Sequence, residues 1–155
     1  VSAASPVHGI EERLLTFEIG GSVHALPIAC VIEVTAVQPL SCIPTLAPNT
    51  AVVMNHHGDA LPVLRRSAFF DVEEESLPVP AHVLVITPRP TGGARLGLPV
   101  DRIVGLVEGA GAVARTTHPV AERRSIDGRM VSILDPERLA SVAQEVIERS
   151  LERSE

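Results

Sequence analysis

The side chains with the plainest chemistry lie together at His56-His57-Gly58-Asp59. Two imidazoles and a carboxylate are a donor set that a divalent transition cation accepts, provided that they converge. On a straight strand they do not, because neighbouring side chains point to opposite faces. A turn could supply the bend. Asn55 and Gly58 are the local residues best suited to left-handed backbone angles, and Asp59 suits a turn. His24 or His118 could also approach through the fold. The alternative is a polar turn tip with exposed imidazoles, and on that reading no metal and no cofactor are expected. Other reactive groups are sparse. Cys30 sits in an apolar run with no neighbour that would stabilise a thiolate. With Cys42 it makes no metal-type spacing, so both read as reduced, buried thiols, with a disulfide as the alternative. There is no Gly-x-Ser-x-Gly elbow, and no Lys-Ser or Lys-Thr follows Gly92-Gly93. The expectation is a chain that is not an enzyme.

The elements that must position these groups follow from composition and periodicity. At 155 residues the chain makes one compact unit or two small subdomains sharing a core. Apolar residues are 45% of it, mostly Val, Leu, Ile and Ala, with 3 Phe and no Trp or Tyr. Such a core favours strands. A net charge of −6, with no basic run and no aromatic platform, excludes nucleic acid as a partner. No apolar run is long enough to span a bilayer, so no membrane insertion is expected.

Along the chain, residues 1–13 read as a flexible N-terminal arm. Leu14–Ile19 is a strand, Gly20-Gly21 a hairpin signal, and Val23–Leu26 the return, with His24 on its apolar face. Ile28–Val37 fits either a short helical turn entering a strand or one long strand. Pro39, Pro44 and Pro48 punctuate a loop before the strand, turn and strand of Ala51–Leu64. Glu73-Glu74-Glu75 with Pro78 and Pro80 reads as a solvated, mobile loop.

His82–Thr87 is a buried strand, and two more flank a bend in Leu96–Val107. Apolar residues fill almost every position outside that bend, so burial of both faces is expected, with Asp101 and Arg102 reached by solvent. Gly97 and Gly105 mark a bulge, a corner or a close approach. Gly109–Pro119 is flexible by composition, and Ser125–Leu134 is a hairpin about Asp127-Gly128. A helix closes the chain: Asp135 caps it, Pro136 fits its first position, and Leu139, Val142, Ala143, Val146, Ile147 and Leu151 form one stripe that is expected to dock on the barrel, the alternative being a partner-binding helix. The class is all-β, two small barrels side by side over residues 14–135, with a C-terminal helix over 136–155.

Four pieces in this order give the chain a resemblance to a known family. They are Phe17–Gly21 leading to Ala25-Leu26-Pro27-Ile28 and Val31–Val34; the Pro-rich loop leading to Asn55, Gly58 and Leu61-Pro62-Val63; Leu96–Ile103; and Asp127–Leu139. Together they make the chain similar to the CheW-like chemotaxis coupling proteins. The resemblance implies two five-stranded SH3-like barrels sharing a core. It also implies a non-catalytic cytoplasmic adaptor that joins the cytoplasmic tips of methyl-accepting chemoreceptors to the regulatory domain of a CheA-type histidine kinase. By position, Val31, Ile32, Glu33 and Val34 fall on the kinase-binding edge, and Asn55, His56, His57 and Gly58 on the turn offered to the receptor. Where the family usually reads Gly-Val-Ile-Asn-Leu-Arg-Gly, this chain has Val52 for the first glycine, His56 for leucine and His57 for arginine, and Arg65 for a later aspartate. Histidine offers fewer donors than arginine and a variable charge. That departure opens a second reading, a relative that has lost one arm of the bridge and serves another chemosensory pathway. A His-based metal-binding module is the remote third.

Overall fold

A computed structural model describes residues 13–36, 41–42, 51–108 and 119–153. The arm, apart from Arg13, and the proline-punctuated loop therefore lie outside the described residues, as do Gly109–His118 and the side chains of Cys42 and Leu151. The first hairpin forms as its alternation and its glycine pair require: β1 (Arg13–Ile19) and β2 (Ser22–Pro27) pair from Leu14 opposite Pro27 to Ile19 opposite Ser22. Pro27 then ends the ladder and Ile28–Cys30 makes a single 3-10 turn. Of the two readings of this run, the short helical turn into a strand is the one adopted.

That turn carries the chain into the second sheet: β3 (Val31–Ala36), β4 (Ser41–Cys42), β5 (Ala51–His56), β6 (Asp59–Leu64), β7 (His82–Ile86) and β8 (Leu96–Val100). The bend at Asp101 returns it to the first sheet through β9 (Arg102–Glu108), β10 (Val120–Ile126) and β11 (Arg129–Leu134). The strand orders are β10-β11-β2-β1-β9 and β3-β7-β8-β6-β5-β4. These are the two barrels, five strands in one and a two-residue strand beyond five in the other.

Alternation along the strands divides the apolar side chains among three clusters. Leu14, Val23, Ala25, Val131 and Ile133 fill the first barrel. Met54, Leu61, Val63, Val83 and Val85 fill the second. The largest cluster includes Phe17, Leu26, Leu84, Ile86, Leu98 and Leu134, and so draws on both sheets. The helix α1 (Pro136–Arg153) lays Leu139 and Ala143 into this shared core, with Val142, Val146 and Ile147 packed beside them. Its start is as the sequence reads: the Glu137 backbone N–H donates to Asp135 Oδ1 at 3.0 Å.

Three expectations are corrected. β8 is buried at every position, but β9 alternates and turns Val104 and Leu106 to solvent. β9 is an edge strand paired to β1, and a bulge at Val104 interrupts that pairing. Asp101 is not at a wet bend; its carboxylate lies inside, where one oxygen accepts from the Gly20 N–H at 2.9 Å and the other from Arg66. Nor is the Glu73–Glu75 run wholly solvated. Glu74–Ser76 forms a 3-10 turn, and the Glu74 carboxylate takes two hydrogen bonds from buried Arg66, at 2.6 and 3.0 Å.

His24 is a core histidine, as expected of an imidazole on an apolar face. It stacks on Phe17 at 6.0 Å, touches Phe70 at 4.8 Å and bonds Ser22 O through Nδ1 at 3.1 Å. Burial pushes its pKa below the ordinary value of 6.5, against the smaller opposing pull of the Ser22 carbonyl. A depressed histidine contributes stability that is complete above the unfolded-state pKa and drains away as pH falls through the folded one. The urea midpoint is therefore expected to drop as pH falls below the ordinary histidine value of 6.5, with a shallower drop in His24→Gln. Equal slopes for the two proteins would exclude His24 as the source.

Candidate functional site

β3 is an edge strand paired to β7, with Ile32 displaced in a bulge between Val31 and Glu33. The alternation leaves Ile32 47% and Val34 40% exposed, whereas Val31 packs on the shared core. Among the described residues no strand pairs with its other side, so it offers an apolar stripe together with an open backbone edge. Glu33, between the two exposed residues, is turned the other way. It reaches the turn between β5 and β6.

That turn is tight. His57 and Gly58 both have positive φ, at 53° and 88°, the two-residue hairpin geometry that Asn-Gly or Asp-Gly usually supplies. Asn55 Oδ1 accepts from the Gly58 N–H at 2.8 Å and braces it. The left-handed residue at His57 brings two neighbouring imidazoles to one side, their ring centroids 4.4 Å apart. His56 is 4% exposed and His57 73%. Both Nε2 atoms meet one carboxylate oxygen, Glu33 Oε1, at 2.9 and 3.0 Å. The two hydrogen bonds, that of His56 first, hold the Glu33 carboxyl below the usual carboxylate range.

Arg95 completes the constellation. Its Nη1 lies 3.0 Å from His56 Nδ1, and its Nη2 lies 3.5 Å from Asp59 Oδ2. A guanidinium only donates, so Nδ1 accepts and the His56 proton sits on Nε2, aimed at Glu33. The sheet order makes this contact informative. β3 is at one edge and β5 is four places along, so Glu33 reaches the histidines only because the sheet curls. The cluster is the polar latch across the second barrel's seam.

The residues assigned by sequence to two separate surfaces thus meet in one place. Val34 and Ile32 face outward, Glu33 joins the two surfaces, and Val31 is partly buried against the shared core. Asp59, the carboxylate first grouped with the histidines, is turned to Arg95 instead. His24 is in the core, and His118 lies outside the described residues. Arg95 was not singled out, and no local signal marks it, since 39 residues separate it from His56. A concavity of about 790 Å³ opens on the first barrel between Gly20, His24, Phe70, Val72, Arg123 and Met130. Met130, 62% exposed, is its apolar lip.

The CheW-like domain profile matches residues 13–144, which is most of the chain. The chain belongs to the CheW-like family. No curated protein matches it significantly. Among solved structures, the scaffolding protein TtCheW from Thermoanaerobacter tengcongensis is similar, at TM-score 0.64 and 17% identity over 79% of this chain and 83% of that one. That likeness shows the fold of two SH3-like barrels. In this CheW-like chain, His56 occupies a buried position, as the family's leucine there suggests. His57 spends its Nε2 on Glu33 of the same chain, where the family's arginine would offer a fork of donors outward. Among the described residues, no helix is long and apolar enough to cross a membrane.

Proposed function

We propose that this chain is a non-catalytic adaptor of a chemosensory array, linking the cytoplasmic tip of a methyl-accepting chemoreceptor to the regulatory domain of a CheA-type histidine kinase in the cytoplasm. The observation that carries the reading is the exposed pair Ile32 and Val34 on a bulged edge strand of a CheW-like fold. An edge strand binds by backbone pairing, and its outward side chains select the partner. A stable contact of this kind buries about 1,200–2,000 Å² in total. The scaffolding role named for TtCheW is of the same kind. The turn at Asn55–Gly58 is the proposed receptor-facing element, with His57 its exposed side chain.

The experiment is a calorimetric titration of the chain against the regulatory domain of a histidine kinase encoded beside it. A micromolar or tighter isotherm is expected. Ile32→Arg and Val34→Arg should each weaken it at least about tenfold, since each puts a charge into the contact. Unchanged affinity in both variants would move the kinase surface elsewhere. The internal engagement of His57 favours one other reading, a relative that has lost one arm of the bridge. A flat trace with the kinase domain, alongside binding to the receptor tip, is the outcome that reading requires.

A further inference from the structure

We propose that Glu33, His56 and His57 form a binding site for a borderline divalent transition cation of the Zn²⁺ type, with water completing its coordination. The carboxylate and the two imidazoles present ligand atoms that all lie within 4.8 Å of one another. Glu33 Oε1 is already 2.9 and 3.0 Å from the two Nε2 atoms. Tetrahedral zinc, with bonds of about 2.0–2.2 Å to nitrogen and oxygen, holds its ligands roughly 3.3 Å apart. A cation replacing the two imidazole protons therefore asks little movement of the carboxylate. The exposed ring of His57 supplies the rest of the adjustment.

Ligand type sets the preference. Two imidazoles and one carboxylate suit zinc, nickel and copper, while magnesium and calcium take sets made of oxygen. The site is open on the His57 side, which leaves room for water ligands. The net charge of −6 favours a cation in general.

Arg95 adds a feature specific to this chain. When a neutral imidazole ligates through Nε2, its proton moves to Nδ1, and the partner there must be an acceptor. In His56 that partner is Arg95, a pure donor. Metal binding therefore requires Arg95 to leave Nδ1, and Asp59, 3.5 Å from its other nitrogen, is the carboxylate that receives it. Arg95 acts as a gate on affinity rather than as a ligand. The site needs no partner protein, so it stands apart from the adaptor reading.

The test is titration of the intact chain with zinc chloride, by calorimetry and by thermal unfolding. A single site in the micromolar range is expected, with a rise in Tm and no response to magnesium. Glu33→Gln and His57→Ala are chosen because neither side chain is buried, so both variants should fold. Each should weaken zinc at least tenfold, a typical loss when a metal site is disturbed. Arg95→Gln, whose side-chain oxygen can accept the His56 Nδ1 proton, should tighten binding by roughly 10–100-fold. Absence of a one-site isotherm up to millimolar zinc, or wild-type affinity in His57→Ala, would overturn the proposal.

Discussion

Replacing Arg66 with alanine is expected to destabilise the chain by about 3–5 kcal/mol, the range for removing one member of a buried ion network. Arg66 is 2% exposed, yet it brings a guanidinium into the segment that joins β6 to β7. Glu74 meets it with one oxygen shared by Nε and Nη2, and Asp101 meets Nη1. Asp101 in turn holds the Gly20 N–H and gives its own N–H to Glu18 O at 2.9 Å. One guanidinium therefore fastens the first hairpin, the bend between β8 and β9, and the 3-10 turn at Glu74. Truncation leaves two carboxylates facing each other with little solvent, at 17% and 10% exposure. Urea unfolding measures the loss. The triple variant Arg66→Met, Glu74→Gln, Asp101→Asn should recover most of it, because the cost lies in stranded charge rather than in lost attraction. A single-variant cost below about 1 kcal/mol would mean that water replaces the guanidinium at no great expense.

Gly97→Ala is the second large effect, expected at about 1–3 kcal/mol, with Gly97→Val costing more. Leu96, Leu98 and Val100 face the shared core, so Gly97 faces the second barrel's interior. A Cβ there would sit 2.7 Å from Val63 Cγ2 and 3.0 Å from Val83 Cγ1, closer than packed atoms tolerate. Val63 lies directly beside Gly97 in the parallel pairing of β6 and β8, so the clash is with a neighbouring strand. Neither strand can withdraw without disturbing the ladders of a central sheet. Adding Val63→Ala to Gly97→Ala should relieve the clash, giving a double variant less destabilised than the sum of the singles. Strict additivity would remove Val63 as the obstacle.

How much of this was legible in the sequence depends on the distance over which each feature is encoded. The hairpin at Gly20-Gly21, the cap at Asp135 and the helical stripe of Leu139 and Ala143 are local patterns, and they fold as read. β9 misled because contiguous apolar residues suggest two covered faces, while an edge position leaves one of them bare. Glu73–Glu75 reads as surface charge, and Arg66 is not marked at all, since no local pattern tells a residue that it will be matched inside a turn. The latch shows the limit most clearly. Periodicity placed Glu33 on one strand and His56-His57 at the end of another. Their meeting depends on the curl of a whole sheet and on the left-handed angle at His57, neither of which is written at either place.

The largest apolar cluster lies between the barrels, and each barrel's own filling is the smaller share. The chain also enters the second sheet after β2 and returns to the first only at β9. Neither half is therefore an independent unit of folding. The strands of the first barrel are separated in sequence by the whole of the second, so its closure depends on contacts between residues far apart in the chain, and a single cooperative unfolding transition is expected. Amide protection should peak along the wall shared by the two halves rather than at either centre. A fragment holding either half alone would bare the apolar wall that the other now covers.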